Sequence, residues 1–195
     1  MAHVKDFGAV GDGKADDTAE LQHAINDGER LVVIPHGTYR ITKPLVVDLD
    51  KVGFTGISGD GGTAKIVMDG PGPALRMVGT HQGTADPPSF KPNVWQSQRM
   101  PTVSGLEIVG NHPEAIGIQL ERTMQATLTG VLIRKCKYGI HLITRNRNTL
   151  ISHCHVYDGA GKEAIGIYLD GCDLHQINII GCHISYHCHA GIKLQ

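Results

Sequence analysis

An all-β right-handed parallel β-helix, a solenoid with one short capping α-helix near its N-terminus, is the fold this sequence predicts. Three observations lead to it. A Gly-Ile-x-Leu pattern recurs four times, with successive spacings of 22, 27 and 25 residues. Two other short apolar columns recur with it, in a fixed order. The composition also suits a chain that turns often and packs aliphatic side chains, with 25 glycines and only 5% aromatic residues. A helical bundle would not use so many glycines, because each costs roughly 1 kcal/mol in a helix interior.

The elements follow in chain order. Residues 1–30 read as an N-terminal cap. A glycine-rich loop from Asp6 to Gly13 meets a helix start at Thr18, with Asp17 as N-cap and Glu20 three residues later, as in a capping box. Leu21, Ala24 and Ile25 form one apolar stripe, and Gly28 is placed to stop the helix. Residues 31–78 read as the first coils, with strands at Leu31–Ile34, Leu45–Val47, Val52–Ile57, Lys65–Met68 and Ala74–Val78. Residues 79–101 carry Pro87, Pro88, Pro92 and the single tryptophan, Trp95, and read as a long loop on the outside of the body.

Residues 102–195 read as repeated coils. The Gly-Ile strands begin at Gly117, Gly139, Gly166 and Gly191. A second column holds Leu106-Glu107-Ile108, Val131-Leu132-Ile133, Cys154-His155-Val156 and Cys182-His183-Ile184. A third holds Ala126-Thr127-Leu128, Leu150-Ile151 and Ile177-Asn178-Ile179. Self-similarity at 20 to 30 residues, with about three strands per repeat and no helix, describes a β-helix coil. Leucine-rich repeats share the length, but their Leu-x-x-Leu-x-Leu-x-x-Asn signature is missing. An antiparallel sandwich would not need the same three-part motif to recur. Stacked coils place equivalent residues about 4.8 Å apart, so Ile118, Ile140, Ile167 and Ile192 should form an inward ladder.

The run Asp6-Phe7-Gly8-Ala9-Val10-Gly11-Asp12-Gly13, followed by Asp16-Asp17-Thr18, resembles the opening of the pectate-lyase-like superfamily. Val33-Ile34-Pro35-His36-Gly37-Thr38-Tyr39-Arg40-Ile41 is similar to that family's second motif. Polygalacturonases, rhamnogalacturonases, some β-1,3-glucanases, epimerase-like proteins and phage tailspikes share this opening. The resemblance implies a β-helix and a polysaccharide partner. It leaves the reaction open, since fold analogy alone does not establish activity. It also implies an extracellular, cell-surface or periplasmic setting, although no signal peptide is visible. Gln195 directly follows a Gly-Ile-x-Leu strand, so further coils are expected beyond a single domain spanning 1–195.

Other classes fit poorly. A formal net charge of -1 and the absence of a basic stripe argue against nucleic acid, and no apolar run reaches the ~20 residues of a membrane span. Gly8-x-x-x-x-Gly13-Lys14 approaches a phosphate-binding loop, but Ala15 stands where Ser or Thr is needed. Cys182, His183, His187, Cys188 and His189 are dense, yet they lack zinc-ligand spacing. Cys154 and Cys182 stack as either a reduced core pair or a disulfide.

The catalytic residues are not identified. The polygalacturonase branch would supply paired carboxylates before the Gly-Ile strands; only Glu114 and Glu163 lie there, two coils apart. A lyase would imply calcium held by an Asp cluster, and none is evident; no other cofactor is expected. Outward alternation nominates Gln119, His141, Tyr168 and Lys193 on one column, and His155 with His183 on another. Tyr168 or Trp95 would stack on a sugar ring. Two functions compete: a glycoside hydrolase or lyase whose catalytic groups lie elsewhere, and a non-catalytic tailspike or adhesin module, for which a trimer would be natural.

Overall fold

The computed structural model describes residues 1–28, 30–83 and 86–195. Among them every paired strand is parallel, and the strands stack in three columns. The Gly-Ile column contains Leu45–Asp48, Gly72–Val78, Ala115–Glu121, the opening halves of Tyr138–Ser152 and Ile165–Ile180, and Ala190–Leu194. The closing halves of those two long strands continue the Leu128 column, which starts at Ala2–His3 and includes Leu31–Ile34, Gly56–Gly59, Thr102–Ser104 and Thr127–Thr129. A separate seven-stranded column runs from Asp12–Asp16 to His183–Ser185.

Register turns the sequence repeats into core. Leu45, Leu75, Ile118, Ile140, Ile167 and Ile192 pair in succession. Tyr39, Ile66, Ile108, Ile133, Val156 and Ile184 do the same in the seven-stranded column. All but the last residue of each ladder are buried, and each buried aliphatic side chain contributes about 1.5–3 kcal/mol. The glycine before each isoleucine has a steric cause. A Cβ on Gly117, Gly139 or Gly166 would lie 2.4, 2.6 or 2.5 Å from the carbonyl oxygen of the matching glycine one coil on.

The helix α1 (Thr18–Asp27) covers the N-terminal end and buries Leu21, Ala24 and Ile25. It also seals the open edge of the first Gly-Ile strand. The Gln22 amide donates to the Val46 carbonyl (2.9 Å) and accepts from the Val46 N–H (2.7 Å), as a neighbouring strand would. Thr18 Oγ1 accepts from the Thr42 N–H at 2.9 Å.

Several expectations need correction. Asp17 occupies the N-cap position but makes no side-chain cap, so the capping box does not form. Its buried carboxylate instead accepts the N–H groups of Val10 (2.6 Å) and Gly11 (3.0 Å). Gly28 does end the helix, as expected, and does so in an extended conformation. Its Cβ would fall 2.1 Å from the Ala24 carbonyl oxygen. The strand expected over Val52–Ile57 begins only at Gly56, after the short helix α2 (Leu49–Val52). Within the stretch read as a loop over 79–101, residues 84 and 85 lie outside the described ones. The rest includes a 3₁₀ turn (Pro87–Ser89) and a π-helical turn (Val94–Gln98) that buries Val94 and Gln98.

Candidate functional site

The outward positions of the Gly-Ile column carry the densest polar arrangement. Ile118 and Leu120 point inward, so Gln119 between them points outward. Gln119 pairs in register with His141, then Tyr168, then Lys193. The Gln119 amide is 3.1 Å from His141 Nδ1, and His141 Nε2 is 2.9 Å from Asp170. This suits an imidazole that accepts from Gln119 and donates its Nε2–H to the carboxylate. The His141 and Tyr168 rings stack, with centroids 5.3 Å apart and planes at 13°. Tyr138 meets both rings at 5.0 and 5.1 Å. Lys193 Nζ lies 5.1 Å from the Tyr168 centroid, and the Tyr168 hydroxyl donates to Gln195 at 2.8 Å.

His141 and Tyr168 are therefore buried within their own row, at 6% and 7% exposure. Lys193 is half-buried, and Asp170 keeps 40% of its side chain exposed. Partial burial works against the Asp170 charge, but the hydrogen bond from His141, with the nearby Lys193 charge, outweighs it and holds the carboxyl below its usual range. Burial raises the Tyr168 hydroxyl, and the neighbouring Asp170 raises it further.

A second carboxylate shares this face. Glu121 occupies the register position of Asp170 two coils earlier, about 10 Å away along the axis. Arg76 holds it at 2.7 Å. Each carboxylate thus has its own cation or imidazole. Asp170, held low, is equipped to hold charge and shape; a general acid would need a carboxyl pushed upward.

His155 and His183 are brought together, but on the seven-stranded column and away from this row. Their rings meet edge to face at 5.9 Å, both residues are exposed, and Tyr157 stacks on His183 at 6.4 Å. Trp95 joins neither group. It stacks on Phe90 (6.0 Å), and Arg99 lies over both Trp95 (5.6 Å) and Phe54 (4.8 Å). With Arg147 over Phe90 at 4.2 Å, these residues form one guanidinium–aromatic stack. Trp95 spends its ring on that stack, with 49% of the residue still exposed.

The phosphate-loop resemblance is spent internally. Asp17 takes the Val10 and Gly11 amides, and Asp12 takes those of Lys14 and Ala15 at 2.8 and 2.9 Å. Among the described residues, no group of three or more His, Cys, Asp or Glu is placed to hold a metal ion. Their helices are also too short or too polar to cross a membrane.

Three residues escaped the sequence reading. Arg145 pairs with Asp173 at 2.5 Å and donates to the carbonyls of Gln82 (2.9 Å) and Gly83 (3.0 Å). Arg147 donates to the Asp86 carbonyl at 3.2 Å. Together they clasp the outer segment beside the Gly-Ile face. Buried Asn146 accepts from Thr123 Oγ1 (2.8 Å) and donates to the Ile143 carbonyl (3.0 Å), which fixes the corner between columns. The run Arg145-Asn146-Arg147 was a signal: three polar residues inside a strand-length segment mark a bend.

Residues 1–78 match the family model for rhamnogalacturonase A/epimerase, pectate lyase-like, and residues 93–195 match that for the right-handed beta helix region. Over 82 residues the chain is 37% identical to a probable glucan endo-1,3-beta-glucosidase of Arthroderma benhamiae, covering 35% of this chain and 9% of that protein. Over 58 residues it is 40% identical to a glucan 1,3-beta-glucosidase of Cochliobolus carbonum, covering 23% and 7%. The chain thus matches less than a tenth of either relative. Among solved structures, the Streptococcus pneumoniae surface protein and adhesin PfbA has a TM-score of 0.66 at 18% identity, covering 98% of this chain and 55% of that one. ORF18 of Geobacillus virus E2 gives 0.63 at 18% identity, covering 93% and 41%. At such identity the likeness is one of fold. Parallel columns, a capped N-terminal end and these matches together place the chain in the right-handed β-helix family, with a pectate-lyase-like opening.

Proposed function

We propose that this chain is the β-helix portion of an extracellular polysaccharide-active protein, and that a glycan chain lies along the outer face of its Gly-Ile column. The observation that carries the proposal is the in-register row of Gln119, His141, Tyr168 and Lys193, continued by Arg76 and edged by Glu121 and Asp170. Coil spacing repeats polar groups along a straight line, as an extended polymer requires. The relatives' names make a β-1,3-linked glucan the first ligand to test. Both carboxylates are tied to partners, which favours binding over catalysis for residues 1–195. That is the adhesin- or tailspike-like reading; in the enzyme reading, the catalytic groups stand outside this face.

Co-sedimentation with insoluble β-1,3-glucan, compared with polygalacturonate and rhamnogalacturonan, tests both parts. Retention on one polysaccharide is expected. Arg76→Ala combined with Lys193→Ala should weaken it about tenfold or more, while His155→Ala on the other column leaves it unchanged. No retention on any of the three, or equal loss in both variants, refutes the assigned face. Release of soluble sugar by the purified chain refutes the non-catalytic half.

A further inference from the structure

Cys154 and Cys182 lie one coil apart at the start of matching strands in the seven-stranded column. The next residues, His155 and His183, are register partners, and the His183 N–H donates to the Cys154 carbonyl at 2.9 Å. With both histidines outward, both thiols point inward. Adjacent parallel strands lie about 4.8 Å apart, inside the ~4.4–6.8 Å Cα separation that a disulfide spans. Both are free thiols. Cys154 is fully buried and Cys182 is only partly so.

We propose that Cys154 and Cys182 are a convertible dithiol–disulfide pair that staples two consecutive coils under oxidising conditions. In the 195-residue chain Cys182 is the less buried of the two thiols, and it reacts first. The Cys182 thiolate attacks a low-molecular-weight disulfide such as oxidised glutathione, forming a mixed disulfide and releasing one glutathione thiolate. The Cys154 thiol gives up its proton and attacks the Cys182 sulfur, and a second glutathione leaves. Two protein thiols are thereby oxidised, and one glutathione disulfide is reduced to two thiols. Burial raises the Cys154 thiol, and the neighbouring Cys182 raises it further. The second step therefore accelerates as pH rises.

The test uses the whole chain, incubated with oxidised or reduced glutathione and read by intact mass, peptide mapping and thermal melting. Oxidation should remove two hydrogen masses and link the peptide of Cys154 to that of Cys182. Closing this loop should raise the melting temperature on the order of 5–10 °C, reversibly with reductant. Cys182→Ser should abolish both effects, and Cys172→Ser combined with Cys188→Ser should preserve both. Peptide mapping of the unaltered chain decides the matter even where a variant folds poorly. A crosslink through Cys136, Cys172 or Cys188, stable glutathionylation of Cys182 with no crosslink, or an unchanged mass would each overturn the proposal.

Discussion

Replacing Gly139 with alanine should break the coil stack, whereas the same change at Gly191 should not. Both glycines open a Gly-Ile-x-Leu strand, but Gly191 lies in the last coil of these 195 residues, so no following coil's carbonyl approaches it here. A Cβ at residue 139 would sit 2.3 Å from Val156 Cγ1 and 2.6 Å from the Gly166 carbonyl oxygen. The second contact is with backbone, and relieving it means separating two coils whose ladders are buried on both sides. Overpacking of this kind costs about 1–3 kcal/mol, and two simultaneous contacts put Gly139→Ala near the upper limit. That corresponds to roughly a hundredfold fall in the folding equilibrium. At Gly191 the nearest atom is Ile184 Cγ2 at 3.5 Å, an ordinary contact. Alanine there removes chain entropy from the unfolded state and should be neutral or stabilising by about 0.4–1 kcal/mol. Urea titration followed by circular dichroism measures both variants. Equal midpoints for Gly139→Ala and Gly191→Ala would refute the account of the glycine column as a close approach between coils.

Two further outcomes follow from buried polar groups. His81 is buried within the outer segment. Burial pushes its pKa down, with Arg147 and Arg145 adding to the shift and Asp173 opposing it. The unfolded chain therefore takes up this proton first. Stability should decline as pH falls through the ordinary histidine value of 6.5, and His81→Phe should flatten that part of a melting-temperature–pH profile. Asn146→Ala should cost about 2–4 kcal/mol, because it strands hydrogen-bonding groups at the buried corner. Hydrogen exchange should then rise at Thr123 and Ile143 ahead of the core ladders.

Much of the fold was legible because a solenoid writes its contacts into the sequence as period. The ladder from Ile118 to Ile192 and the pairing of His155 with His183 follow from aligning repeats. Local chemistry was harder to read. Asp17 had every mark of an N-cap, but the loop seven residues earlier competed for its carboxylate and won. Val52 and Phe54 looked extended, though Asp48 caps a helical turn that takes in Val52, by accepting from the Asp50 N–H. For the candidate face, alternation correctly set Gln119, His141, Tyr168 and Lys193 on one line. It did not reveal that they bind one another, because Asp170 and Gln195 reach the row from beyond its central positions. Trp95 was nominated for its ring alone. Only the fold brings in Phe54, far back in the chain, to enclose Arg99 against it.

Because successive coils stack equivalent core positions on one another, length is the dimension this architecture leaves most free. Removing or duplicating a whole coil would shift everything beyond it by a single strand spacing and leave each ladder contact with an equivalent partner. The Gln22–Val46 seal sets a fixed origin for that scale. Descendants of such a chain could therefore change reach without redesigning their cross-section, as a measuring rod is recut without altering its graduations.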